Sequence, residues 1–198
     1  SLMHIEWNNK KINILDTPGY SDFIGDVKSA MKVCDTAVMV LKSAEGVEVG
    51  SEVSGKFVNE FALPSAIIIN KVDNEHSSFS ETVEKSKERL TSGAIVITFP
   101  AKEGITFNSV IDVLKMKAYN YGDTGSKKIT ESEIPAELKA KAEEYHTELI
   151  EKIAETNEEL MNKYFEEGSL SDSDIELGLK AAILGRSLTP VFAVSSTK

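Results

Sequence analysis

Apolar positions change their spacing twice along this chain, and the changes divide it into two kinds of structure. Residues 3–7 and 11–15 alternate about Asn8-Asn9, which predicts an antiparallel hairpin whose second strand reads as buried. From 22 to 33, Phe23, Val27, Ala30 and Met31 recur at three- and four-residue spacing, a helix with one apolar face. The run 37–41 is apolar on both faces, as an inner parallel strand is. A helix over 49–61, a strand over 65–69 and a helix over 79–90 with Val83, Ser86 and Leu90 inward continue the alternation. Such strand and helix alternation predicts a right-handed, doubly wound α/β sheet.

Beyond Leu90 the spacing changes. Stretches 94–99, 106–114 and 117–121 read as three strands with no helix between them, a small antiparallel sheet. Three helices follow over 135–154, 157–165 and 172–184. Pro135 and Asn157 stand at first-turn and cap positions, Gly168 and Gly185 where helices stop. An apolar strand over 190–194 then ends in Ser195-Ser196. The economical organisation is an α/β core over 1–92, an inserted α+β unit over 93–189, and a return strand with its loop over 190–198.

Composition narrows the class. A chain of 198 residues, 41% hydrophobic and 27% charged, has the balance of a folded domain rather than a disordered tail. Its one cysteine, Cys34, sits in an apolar run and reads as a buried, unreactive thiol; a reducing compartment fits. No apolar run approaches the roughly 18 residues a membrane span requires, and the start has no basic-then-apolar signal, so a cytoplasmic location is expected. The net charge of −10 is concentrated: residues 131–176 carry 15 acidic and 4 basic side chains, and the remainder is near neutral. A surface that negative repels phosphate backbones, so direct RNA contact is not expected there and a protein partner is.

Candidate chemistry gathers at strand ends. Asp16-Thr17-Pro18-Gly19 follows the 11–15 strand and places a carboxylate at a sheet edge, where open α/β folds bind ligands. Gly19 lets a backbone N–H approach a terminal phosphate, and Asp16 suits the water shell of Mg²⁺. Asp-X-Pro-Gly is also an ordinary turn. Asn70-Lys71-Val72-Asp73 ends the 65–69 strand. Asp73 can accept both N–H groups of a guanine edge, the Asn70 amide can bridge loop and base, and the Lys71 stem can cover the ring. A surface loop is the competing reading for that tetrapeptide alone. Both motifs end apolar strands in the required order, 54 positions apart.

Residues 50–57 mimic a phosphate-binding P-loop up to the last place, where Phe57 replaces the Ser or Thr that holds Mg²⁺. They also fall after the Asp16 loop, whereas a P-loop belongs before it, and read instead as part of an amphipathic helix. His4, His76 and His146 lie far apart without partners at metal spacing, so no zinc site is expected.

With Asp16 to Gly19, Asn70 to Asp73 and Ser195-Ser196 in place, the chain resembles the GTPase domain of the translation elongation factor G family. Stretches such as Ser43-Ala44-Glu45-Gly46-Val47-Glu48 and Val113-Leu114-Lys115-Met116-Lys117-Ala118 extend the resemblance over nearly the whole chain. It implies a P-loop NTPase-type doubly wound sheet, incomplete here, with the insertion similar to that family's G-prime subdomain. It implies GTP or GDP as ligand with Mg²⁺, switch II at Asp16, Thr17, Pro18 and Gly19, guanine reading by Asn70, Lys71 and Asp73, and a guanine-contacting loop at Ser195 and Ser196. The partners implied are the ribosome and, through the insertion, its stalk protein, met by Glu137, Glu144, Glu148 and Glu151 on outward helix faces. Two departures stand out. Tyr20 occupies the place of the family's water-positioning His, more like the translocase-like paralogues, and a neutral phenol cannot supply imidazolium charge. The P-loop and switch I should precede the first residue, so an internal fragment that binds nucleotide poorly by itself is expected. The alternative reading is a non-catalytic ribosome- or protein-interaction module on a GTPase scaffold.

Overall fold

Asn8 and Asn9 both adopt positive φ, 48° and 58°, the two-residue turn whose twist matches the flanking strands. They join β1 (Leu2–Trp7) to β2 (Lys10–Leu15) in an antiparallel ladder running from Leu2 opposite Leu15 to Trp7 opposite Lys10. The structure, a computed structural model, describes residues 1–121 and 129–197. The hairpin forms a two-stranded sheet of its own, and every residue of β2 is exposed, Ile12 at 42%. The expected buried strand is therefore corrected: alternation marks a face suited to burial, but among the described residues no second layer covers this ladder.

A 3-10 turn at Ser21–Phe23 leads into α1 (Ile24–Met31), which buries Val27. Cys34 just beyond it is half-buried rather than buried. Next come β3 (Ala37–Lys42), α2 (Val49–Glu60), β4 (Ser65–Asn70) and α3 (Phe79–Arg89), the alternation that the apolar spacing predicts. β3 and β4 pair in parallel from Ala37 opposite Ser65 to Lys42 opposite Asn70. The sheet is completed by β5 (Ala94–Val96) and the return strand β10 (Thr189–Ala193), in the order β3-β4-β10-β5, all parallel. β3 is an edge strand, not the inner one its sequence suggests. Ala37, Met39 and Leu41 are buried, whereas Val38 and Val40 are exposed. Apolar side chains on both faces give burial only where both faces have a neighbour.

The strand expected over 94–99 divides at Ile97. Its first half, β5, lies in the parallel sheet; its second, β6 (Thr98–Pro100), opens an antiparallel sheet with β7 (Ser109–Asp112), β8 (Lys117–Tyr121) and β9 (Ile129–Ser132). Ile97 ties the two sheets, donating its N–H to Val191 and accepting from the Val113 N–H, both at 2.9 Å. A 3-10 turn at Gly104–Thr106 replaces the start of the second expected strand. β9 is solvent-exposed throughout and carries no apolar pattern.

Three helices cover this part: α4 (Ala136–Ala154), α5 (Glu158–Glu167) and α6 (Asp172–Leu184). Asn157 caps α5 through its side chain, accepting from the Leu160 N–H at 2.8 Å, and Gly168 ends it at φ 70°. On α4 the inner face buries Ala142, Leu149 and Ile153 completely. Its polar face is less free than expected. Glu148 pairs with Lys87 of α3 at 2.6 Å, so it does not present its charge outward.

The two ends of the 93–189 segment meet at a neck. The Thr189 N–H donates to the Gly93 carbonyl at 2.7 Å, and a Cβ on Gly93 would stand 2.7 Å from the Ser187 carbonyl oxygen. Two backbones approach there too closely for a side chain. One buried apolar cluster runs through both sheets, from Ile67 and Ile69 through Val96 and Phe99 to Leu149 and Ile153.

Candidate functional site

β4 and β10 lie side by side with Ile69 opposite Ala193, so the loops that follow them leave the same sheet edge together. Asn70 ends β4. Its side-chain oxygen accepts from the Lys71 N–H at 2.7 Å and from the Ser196 N–H at 3.2 Å, bridging two segments 126 positions apart. Val72 is fully buried and donates its N–H to the Val194 carbonyl at 3.4 Å. Asp73, half-buried, accepts the Thr197 hydroxyl at 2.5 Å on Oδ2. The Ser195 hydroxyl lies 3.1 Å from that of Thr197 and accepts the Thr197 N–H at 3.3 Å.

The structure thus brings Asn70, Lys71 and Asp73 together with Ser195 and Ser196. It also adds Thr197, which the motifs do not name; the one signal in the sequence is a third hydroxyl directly after Ser195-Ser196. Lys71 is exposed and held at φ 61°, a left-handed conformation that costs a lysine on the order of 1 kcal/mol and persists because its neighbours fix it. Chemically, the edge offers a carboxylate, a backbone loop and a lysine stem to a flat ring carrying paired N–H donors.

The Asp16 loop lies elsewhere, at the end of the hairpin. Asp16 is exposed; its Oδ2 accepts the Ser1 hydroxyl at 3.1 Å, and its backbone exchanges hydrogen bonds with Ser1 at 2.6 and 2.9 Å. Thr17 is half-buried, and Pro18, Gly19 and Tyr20 are exposed, Tyr20 at 79%. A Cβ on Gly19 would meet nothing within 4 Å, so packing within this chain does not require glycine there. Tyr20 accepts the Phe23 N–H on its carbonyl at 3.0 Å, starting the 3-10 turn.

Among the described residues no group of three or more His, Cys, Asp or Glu side chains converges on a metal position. A single carboxylate such as Asp16 fits an outer contact to hydrated Mg²⁺ rather than a full ligand set. The P-loop mimic at 50–57 lies within α2, where Gly55 is buried with room for a Cβ only 3.3 Å from Leu90. Its N–H groups belong to a helix, so it makes no phosphate cradle. The guanine end of a nucleotide fits the residues present after β4 and β10.

A parallel sheet whose adjacent strands deliver an Asn-Lys-X-Asp loop and a serine loop to one edge defines the P-loop GTPase class of α/β folds. The chain matches the family described as elongation factor Tu GTP binding domain over residues 1–198, and it belongs to that family. A crystal structure of a protein from Thermus thermophilus is similar at 27% sequence identity and a TM-score of 0.88 over 98% of this chain. The chain spans 29% of the length of that protein's chain. Among the described residues no helix is long and apolar enough to cross a membrane.

Proposed function

We propose that the chain is the guanine-reading part of an elongation factor G-like GTPase that works on the ribosome in the cytoplasm. The observation that carries this reading is the meeting of Asn70 with Ser196 and of Asp73 with Thr197, segments that nothing but the fold brings together. Asn70, Lys71 and Asp73 hold the base, with Ser195 and Ser196 closing over it. Asp16 and Gly19, flanked by Thr17 and Pro18, face the Mg²⁺ and terminal phosphate of GTP. Tyr20 stands where the hydrolytic water is oriented; a neutral hydroxyl there accepts or donates one hydrogen bond and adds no positive charge. Residues 1–92 and 190–198 form the nucleotide-binding core, and 93–189 the inserted unit that meets the stalk protein.

In this reading the 198 residues bind GDP weakly alone. They lack the lysine and N–H nest of a P-loop, and losing three charge-assisted contacts of about 1.5–3 kcal/mol each removes three or more orders of magnitude in affinity. Calorimetry on the isolated chain tests it. A GDP dissociation constant far above micromolar, with weaker ADP binding still, is the expected result; tight GDP binding, or equal binding of ADP, contradicts it.

A further inference from the structure

Glu103 leaves the antiparallel sheet after β6 and reaches back to the parallel one. α3 begins at Phe79 with Ser78 in the cap position, yet Ser78 makes no side-chain cap bond. The cap comes from outside the helix. Glu103 Oε2 accepts the Phe79 N–H at 2.8 Å and the Ser77 hydroxyl at 2.5 Å, where the helix dipole also favours a negative charge.

Because the Ser77 hydroxyl gives its one proton to Glu103, Ser43 is the donor in the 2.6 Å contact between the two serine hydroxyls. Ser43 is 1% exposed, and its own N–H donates to the Asn70 carbonyl at 2.9 Å. Its carbonyl accepts from the Ser78 N–H and the Thr82 hydroxyl, both at 3.2 Å. Next to Glu103, the Gly104 N–H donates to the Val72 carbonyl at 2.9 Å, with Gly104 at φ 80°. Two hydrogen-bonded paths therefore run from residues 103–104 into the Asn70–Asp73 loop, one through Ser77 and Ser43 to Asn70, the other directly to Val72.

We propose that Glu103 is a positioning residue for base recognition, tethering the Asn70–Asp73 loop to the antiparallel sheet so that the inserted unit and the base loop are mechanically coupled. The inference rests on the guanine reading above. Asp73 discriminates among bases only while its carboxylate is held in one place, and Lys71 at positive φ relaxes once the anchors on either side of it are loosened. Glu103 touches no nucleotide; it acts through Asn70 and Val72.

The test is nuclear magnetic resonance titration of the 198-residue chain with GDP and with inosine diphosphate, whose base lacks the 2-amino donor. Glu103→Ala weakens GDP binding about fivefold and moves the preference for GDP over inosine diphosphate toward one, as loss of about one net hydrogen bond's worth of positioning predicts. Glu103→Gln keeps an acceptor for both donors and recovers most of the affinity and the preference. A Glu103→Ala variant that melts earlier but keeps the wild-type preference overturns the proposal, since that is what a merely structural role gives. If the wild-type chain does not distinguish GDP from inosine diphosphate or ADP, the guanine reading fails. The tether is then decided by amide exchange without nucleotide: faster exchange at Val72 and Gly104 in Glu103→Ala, restored in Glu103→Gln, supports it, and unchanged rates overturn it.

Discussion

In the function proposed above, Tyr20 is the side chain of the Asp16 loop that bears on turnover. It is largely exposed and its ring is not packed into the fold, so its replacement leaves the structure alone and changes only what it offers to a neighbouring water. In the complete GTPase, Tyr20→His raises ribosome-stimulated GTP hydrolysis, because an imidazolium adds charge stabilisation that a phenol cannot, while nucleotide affinity stays within about twofold. Turnover of the purified protein with ribosomes checks this, and equal or lower turnover counts against the role given to Tyr20. At this scale the sequence was informative where chemistry is carried by residue type. Asn70 and Asp73 stand out as an Asn-Lys-X-Asp motif at a strand end, and the structure joins them to the serine loop. Glu103 and Thr197 were illegible because their roles come from where the chain returns, 24 to 124 positions away from their partners.

Helix packing and capping belong to the next scale. At Gly178 of α6 an added Cβ would lie 2.6 Å from Ile153 Cγ2 and 2.8 Å from Leu160 Cδ1. Gly178→Ala gains about 1 kcal/mol of helix propensity and loses about 2–3 kcal/mol to overpacking, since two side chains stand closer than a Cβ tolerates, so the clash wins and the melting midpoint falls by about 2–8 °C. Calorimetric melting decides; a raised midpoint means that α6 stands off α4 and α5. The start of α6 adds a pH dependence. The Ser171 hydroxyl, then Lys163, hold the Asp174 carboxyl below its ordinary range. A depressed carboxyl contributes stability that is present above its unfolded value near 4 and is lost as pH falls through the folded one. Asp174→Asn therefore lowers the melting midpoint at pH 6–7 and flattens its decline below pH 4, and equal slopes for both proteins would remove Asp174 from the account.

Element boundaries show why periodicity reads helices better than strand environment. α4 keeps one apolar face because a helix sets its own spacing, and Leu149 and Ile153, one turn apart, both land inside. β2 and β3 both carry apolar side chains suited to burial, yet one stands in a separate hairpin and the other at a sheet edge, since burial of a strand is decided by its neighbours. The division at Ile97 was hidden for the same reason: a continuous run of apolar or β-favouring residues serves two sheets, and nothing local marks the residue where the ladder changes partners.

Across the whole molecule the charge is lopsided, but the structure neutralises part of it internally. Lys87 takes Glu148, Lys163 takes Glu159 and Asp174, and Lys117 takes Glu133, whereas Glu137, Glu144 and Glu151 stay exposed on α4 as negative charge suited to steering a partner. With the stalk protein as the partner proposed above, reversing Glu144 and Glu151 to Lys is expected to slow association several-fold to about tenfold at low salt and less at high salt, where screening is nearly complete beyond about 10 Å. Stopped-flow rates at two ionic strengths check it; unchanged rates in a folded variant place the docking surface elsewhere. Including Glu148 would confuse the experiment, because a lysine there faces Lys87.

In the proposed function the loops after β4 and β10 form one guanine-selective edge. Residue-resolved nuclear magnetic resonance of the 198-residue chain, titrated to millimolar GDP and separately ADP, tests it most directly. The account predicts weak, saturable shifts confined to Asn70–Asp73 and Ser195–Thr197 with GDP and far smaller ones with ADP. Equal shifts with both nucleotides, or GDP shifts centred away from those two loops, would contradict it.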